Sequence, residues 1–319
     1  MAKEIFIAIG VDLDSIAGWL GSYGGQDSGH DISRGVFAAE VGTPRMLQLF
    51  KRLKIKTTWF IPGLVIETFP KQVEEIIKED HEIGTHGYSH ENPRSLTKEQ
   101  EEAVMLKSYN LVKAIWGKAP VGHTSPWWEM SPHTIDLLIK LGYKYDRSIA
   151  DNDFLPFYAR TNRKWAKIDL TKAADEWMKP MYLGDLVDLV EFSANWMLDD
   201  LPPMMFIKAF PNSYGFTNPH DIEQIWRDEF DYLYREYDYG VFPLTLHPDV
   251  SGRPEVILML ERLFNYISRF PGVIFTTYEE VARDFRRRFP FDEYKKKYDE
   301  EMQLQESLRK KIQASLSRF

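Results

Sequence analysis

Two histidines, His86 and His90, stand four apart in "GTHGYSHENP". On a helix that spacing would put both rings on one face, but Gly84, Gly87 and Pro93 break helices, and "EIGTH" reads as the end of a strand. Two imidazoles in a tight loop after a strand suggest part of a metal site. The first strand-like run, "EIFIAIGVDLD", ends with Asp12 and Asp14, and strand alternation would put both carboxylates on one face. Later runs end "LTLHPD", carrying His247 and Asp249, and "EFSANW", carrying Trp196. Asp14, His86 and His90 would supply the three protein ligands of a catalytic zinc or similar divalent ion, with one position left for water. Asp12 is then free to take a proton from metal-bound water, and His247 could protonate a leaving nitrogen or stabilise developing charge. These are the parts of a metal-assisted hydrolase. Each piece also has a plainer reading, as a cap, a surface group or a hydrogen-bonded histidine. Their joint placement at separate strand ends favours chemistry. His30, His81, His123, His133 and His220 lack such partners, and His81 and His220 read as solvated surface.

The chain must hold these residues without cysteine, which excludes disulfides, thiolate nucleophiles and cysteine-ligated zinc. Its 319 residues, 44% hydrophobic and 28% charged, suit one sizeable core in a soluble protein. A net charge of −8 argues against a nucleic-acid or anionic-membrane partner. No apolar run matches a signal or membrane-spanning segment, so the sequence reads as cytoplasmic, with a small molecule as its partner.

The elements alternate. "GTPRMLQLFKRLKI" reads as a helix with Thr43 as N-cap and Pro44 at its first position, "KTTWFIPG" as a strand, and "FPKQVEEIIKED" as a helix. Thr97 and Gln100 form a capping box for the next helix. The segment "GSYGGQDSGHDISRG" looks too irregular to be an element, and residues 150–185 look like loops with short elements. About seven βα units at this length predict a barrel in one domain over residues 1–290. Residues 291–319 read as a charged helical extension whose narrow stripe, Leu304, Leu308, Ile312 and Leu316, would pack on the barrel or on a neighbouring subunit.

"GVDLDS", "THGYSHENP", "SPWWE", "SANW" and "LTLHPD" together resemble, in order, the motifs of the NodB-homology polysaccharide deacetylases, carbohydrate esterase family 4. The resemblance covers residues 1–290. It is nearest the intracellular subgroup of peptidoglycan deacetylase-like proteins, cyclic imidases and metal-independent allantoinases, marked by the long segment "GWLGSYGGQDSGHDISRGVFAAEVGTPRML". It implies a distorted (β/α)7 barrel, Asp12 as base, Asp14, His86 and His90 as zinc ligands, and His247 as acid. Two family features are missing from the matching motifs. "GHTSPWWEMS" carries no arginine to pair with the base, leaving Arg34 or His123 as candidates, and no charged partner for His247 is evident near Trp196. Trp127 and Trp128 would narrow the rim, unless they are ordinary core aromatics.

A long 18–40 loop over the mouth, the paired tryptophans and the lack of a secretion signal favour a small substrate. The expected reaction is hydrolysis of a non-peptide C–N bond, with metal-bound water attacking the carbonyl of a cyclic imide or small cyclic amide. An N-acetyl sugar or peptidoglycan fragment is the alternative substrate, and a catalytically inactive barrel a third reading. Homo-oligomerisation, up to a tetramer, is also expected.

Overall fold

The computed structural model describes residues 3–210 and 215–316. Among the described residues, nine strands run in chain order as β1 (Glu4–Asp12), β2 (Thr58–Ile61), β3 (Glu82–Thr85), β4 (Gly122–His123), β5 (Tyr145–Ile149), β6 (Phe157–Thr161), β7 (Asp185–Ser193), β8 (Tyr239–Leu246) and β9 (Val273–Thr276). They pair in the order β6–β7–β5–β4–β3–β2–β1–β8, and β9 also pairs with β1. Only β6 runs antiparallel to its neighbour. The path from β7 to β8 is therefore seven parallel strands, and one bridge between Asp199 and Thr245 brings its two ends together. This is the distorted (β/α)7 barrel that the motifs imply.

Strand β1 shows why the barrel forms here. Every residue after Glu4 is buried, as expected for a parallel strand covered on both faces. Ile5, Ile7, Ile9 and Val11 join the outer core made with the helices, whereas Phe6 and Ala8 join a second cluster with Phe60, Tyr145 and Tyr278. The period of two thus splits the strand between the helix layer and the barrel interior, and carries Gly10 and Asp12 to the inner side.

Several expectations need correction. Thr43 is not an N-cap but the first residue of the helix Thr43–Leu53, which continues directly from a wider helical turn at Ala38–Gly42. The 18–40 segment is not one irregular loop: α1 (Ser15–Gly21) leads into it and α2 (Gly29–Phe37), capped by Ser28 through Asp31 N, forms most of its second half, with residues 22–28 irregular between them. The glycines that suggest disorder serve close packing: a Cβ on Gly35 would lie 2.6 Å from Ile16 N. Asp14 is not on the strand but at the N-cap of α1. His81 is buried, its Nδ1 accepting from Thr57 N (3.1 Å), and burial lowers its pKa to about 4. Its charged flanks "KED" and "E" hide a ring that packs on Phe50 and Trp59.

Residues 150–185 contain β6 and a short helix, Ala174–Trp177, much as the sequence suggests. The C-terminal helix Phe291–Leu316 forms, while residues 317–319 of the expected extension lie outside the described residues. Phe291, Tyr294 and Tyr298 pack against the inner cluster, but Leu304, Leu308, Ile312 and Leu316 are exposed. The helix therefore docks on its own barrel through its first turns, and Arg309 adds a contact to Met181 O (3.5 Å) further along. Among the described residues, no helix is long and apolar enough to cross a membrane.

Candidate active site

The C-terminal ends of β1, β3 and β8 bring Asp12, Asp14, His86, His90 and His247 together, all buried. Ligand atoms of Asp14, His86 and His90 lie within 4.8 Å of one another. Asp14 Oδ1 is 3.2 Å from His86 Nε2, and Oδ2 is 3.3 Å from His90 Nε2. The loop between the histidines is held by Glu91, whose carboxylate accepts from Tyr88 N (2.9 Å) and Ser89 N (2.6 Å). His90 itself adopts a left-handed backbone, φ 59°, a conformation costly for a non-glycine residue and concentrated at functional sites. That backbone, not a helix, brings rings four residues apart to a centroid distance of 4.9 Å.

Two observations fit this triad to a cation. Asp14 Oδ1 is buried and has no hydrogen-bond partner, a costly state for a carboxylate oxygen unless something positive fills it. His86 Nδ1 lies 2.7 Å from Thr124 O, to which it must donate, so Nε2 is the nitrogen presented to Asp14 and, in the neutral ring, the one able to ligate a cation. Burial lowers the His90 pKa to about 4 and keeps that imidazole neutral. Burial alone would raise the Asp14 pKa, but His90 and His86 hold the carboxyl well below the usual carboxylate range. The donor set is nitrogen and oxygen, which suits zinc and other borderline divalent ions.

The partner of Asp12 is neither candidate taken from the sequence. Arg147, on β5 and fully buried, places Nη2 2.5 Å from Asp12 Oδ1, with Nη1 2.5 Å from Thr245 Oγ1. Its guanidinium lies over the Phe60 ring at 4.8 Å. Gly10 makes the room, since a Cβ there would sit 2.8 Å from Arg147 Cζ. Arg34 is turned away and donates to Phe206 O (2.8 Å), and His123 is engaged 2.6 Å from Asp146 Oδ1. The missing partner of His247 is also present: Asp200 Oδ1 lies 2.7 Å from His247 Nδ1, and Asp200 also accepts from His247 N and Ser251 Oγ. Burial would lower the His247 pKa, but Asp199 and Asp200 raise it well above its ordinary value. Burial raises the Asp199 carboxyl to about 7. The "DD" pair follows Trp196 by three and four residues, so an acidic doublet beside the fourth motif was the available signal.

Trp127, Trp128 and Trp196 line the cavity over these groups. Trp127 and Trp128 both take left-handed backbones, φ 57° and 53°, and Trp128 packs on Trp196 with centroids 4.3 Å apart. About 20 Å³ is open to the centre of a water molecule, room for about one water above the triad. The roof is thus tryptophan, and the 18–40 segment contributes Tyr23, from the turn after α1.

The polysaccharide deacetylase family pattern matches residues 30–145. A Helicobacter pylori protein named peptidoglycan deacetylase is 57% identical over 91% of this chain and 99% of its own. A Gibberella zeae protein named peptidoglycan deacetylase-like is 37% identical over 89% of this chain and 87% of its own. A solved Puue allantoinase superposes with a TM-score of 0.72 at 21% identity, over 91% of this chain and 92% of that one, a likeness of fold.

The buried Arg147–Asp12 pair generates a stability prediction. Arg147→Met leaves a buried carboxylate without its counter-charge, so denaturant unfolding should show a loss of about 3–5 kcal/mol. A loss within the error of the measurement would mean that Asp12 is compensated by another group.

Proposed function

This chain belongs to the polysaccharide deacetylase family, and we propose that it removes the acetyl group from an N-acetylated amino sugar of the peptidoglycan type. It is a hydrolase of carbon–nitrogen bonds other than peptide bonds. The names of the H. pylori and G. zeae relatives support the sugar over the cyclic imide that the tryptophans and the 18–40 segment suggest from sequence. The observation that carries the reaction type is the triad flanked by two separately anchored proton-transfer groups. His247 Nε2 is 3.7 Å from Asp14 Oδ2 and 4.0 Å from Asp12 Oδ2, with Arg147 fixing Asp12 and Asp200 fixing His247.

In this reading Asp14, His86 and His90 hold a divalent ion, with zinc the best fit. Bound there, the ion polarises the amide carbonyl and lowers the pKa of the attacking water. Asp12 Oδ2, the oxygen not engaged by Arg147, takes the proton from that water. His247, held protonated by Asp199 and Asp200, gives a proton to the departing nitrogen, which leaves as a neutral amine. Trp127, Trp128 and Trp196 bind the substrate and exclude bulk water, which strengthens each of these charges. A sugar requires Trp128 or Trp196 to swing aside, because the cavity as it stands holds about one water. The same tightness applies to a second reading, a small cyclic imide or amide, which is also larger than one water and needs a smaller opening of the same roof.

Side-by-side assay of N-acetylglucosamine oligomers, scored by acetate release, and cyclic imides, scored by ring opening, separates the two. Oligomer deacetylation at the higher kcat/KM supports the first reading. Imide hydrolysis alone replaces it with the second, and no turnover on either panel with metal bound favours an inactive barrel.

Two variants test the assigned roles. Asp12→Asn should keep the metal and lose on the order of 10²–10⁴-fold in turnover, whereas Asp14→Asn should lose the metal as well. Near-normal rates in Asp12→Asn would remove it as the base. The pH profile tests the acid. His247 must be protonated to act, so activity is present below its raised pKa and is lost as pH rises through it. Asp200→Asn removes a charge that raises that pKa, so the alkaline limb of kcat should move to lower pH. A limb that stays in place would assign it to another group.

A further inference from the structure

Residues Ser22 and Tyr23 follow α1 directly and reach the triad from the side opposite the barrel wall. The Tyr23 hydroxyl donates to Asp14 Oδ2. A carboxylate oxygen can only accept, so this bond has one polarity. It occupies Oδ2 and leaves Oδ1 as the orphaned atom. Ser22 Oγ lies 2.5 Å from His90 Nδ1 and 3.4 Å from Gly18 O. With its hydrogen directed at Gly18 O, the serine oxygen can accept from Nδ1–H, the arrangement that leaves the His90 Nε2 lone pair facing Asp14. Two consecutive side chains therefore set the free oxygen of one candidate ligand and the tautomer of another.

The local packing is built for this contact. A Cβ on Gly21 would stand 1.7 Å from Ser89 O, the backbone just before His90, and a Cβ on Gly18 would stand 2.4 Å from the Tyr23 ring. Both glycines permit an approach that no other residue allows. Tyr23 N and Ser22 N both donate to Gly18 O, at 2.7 Å and 3.0 Å, which fixes the turn. The Tyr23 ring is then wedged edge-on between Trp19 (5.2 Å) and Trp127 (5.5 Å). A residue placed merely to fill space would need the ring but not the hydroxyl, and here the hydroxyl meets a buried carboxylate.

Building on the reading of Asp14, His86 and His90 as a metal site, we infer that Ser22 and Tyr23 are positioning residues for the metal, presetting Asp14 and His90 before the ion arrives. The segment that reads in the sequence as a loop over the mouth thus holds two of the candidate ligands in place. Outer partners of this kind are worth roughly 10–100-fold in metal affinity.

The test titrates apo-protein with Zn²⁺ against a chromophoric chelator for wild type, Tyr23→Phe and Ser22→Ala. Tyr23→Phe keeps the ring and its packing and removes one hydroxyl. The expected result is one equivalent bound in each, with affinity weakened roughly 10–100-fold in both variants while apo far-UV dichroism is retained. The visible bands of Co²⁺-loaded Tyr23→Phe should also shift, which a purely structural role would not cause. If the apo Tyr23→Phe protein does not fold, Ser22→Ala decides. Wild-type affinity in the variants, with wild type itself loaded, overturns this inference and leaves the metal reading standing. No Zn²⁺ bound by wild type overturns both.

Discussion

A guanidinium sealed inside the barrel sets the terms for everything above it. Arg147 has no exposed side-chain surface, and burying such a charge is tolerable only when it is paired and its donors are filled. Asp12, Thr245 and Thr124 fill them, from β1, β8 and the end of β4. The aromatic faces of Phe60 and Tyr278 close around the plane. The pair thus ties β5 to β1 and β8 across the barrel interior. It holds one Asp12 oxygen, so that the other is presented toward His247 at 4.0 Å. The positions of Gly10 and Tyr145 follow from the same need, the first by giving room to Arg147 and the second by walling the inner cluster.

The same logic explains what the sequence could reveal. Asp12, Asp14, His86, His90 and His247 sit at or just past strand ends, where a short motif and its structural context coincide, so they could be read directly. Their partners could not. Arg147 lies within "YDRSI", which reads as an ordinary strand, and its meeting with Asp12 spans 135 positions. Asp200 pairs with His247 across 47 positions. Such contacts depend on strand order, which periodicity does not supply. The two helices at 15–37 were missed because propensity treats glycine as a breaker, while here glycine is where one helix touches another backbone. His81 was missed because charged neighbours in sequence say little about where a ring points after a helix end.

Left-handed backbones gather around the site: Ser15, His90, Trp127 and Trp128 all have φ between 48° and 59°. Each costs on the order of 1–3 kcal/mol and persists only where surrounding packing dictates it. Ser15 turns the chain from Asp14 into α1, with its hydroxyl donating to Gly35 O at 2.7 Å. His90 turns its ring back toward His86, and the two tryptophans turn theirs over the cavity. The strain is therefore spread over three segments that contribute one wall each, a pattern expected of a preorganised site rather than of a generic core.

That preorganisation bears on the substrate. Asp12, His247 and the triad are held by buried hydrogen bonds, whereas Trp196 is 47% exposed and packs on Trp128. In the proposed mechanism the reacting groups are thus the buried ones, and Trp196 is the exposed member of the roof. A substrate larger than water must be admitted by the roof, without disturbing Asp12, Asp14 or His247. Chemistry common to any acyl C–N bond can then be held constant while the identity of the substrate is decided by how far Trp128 and Trp196 separate. In the proposed mechanism this division assigns specificity to the pair of tryptophans and reactivity to the carboxylates and histidines below them, so the two properties should respond to substitution independently.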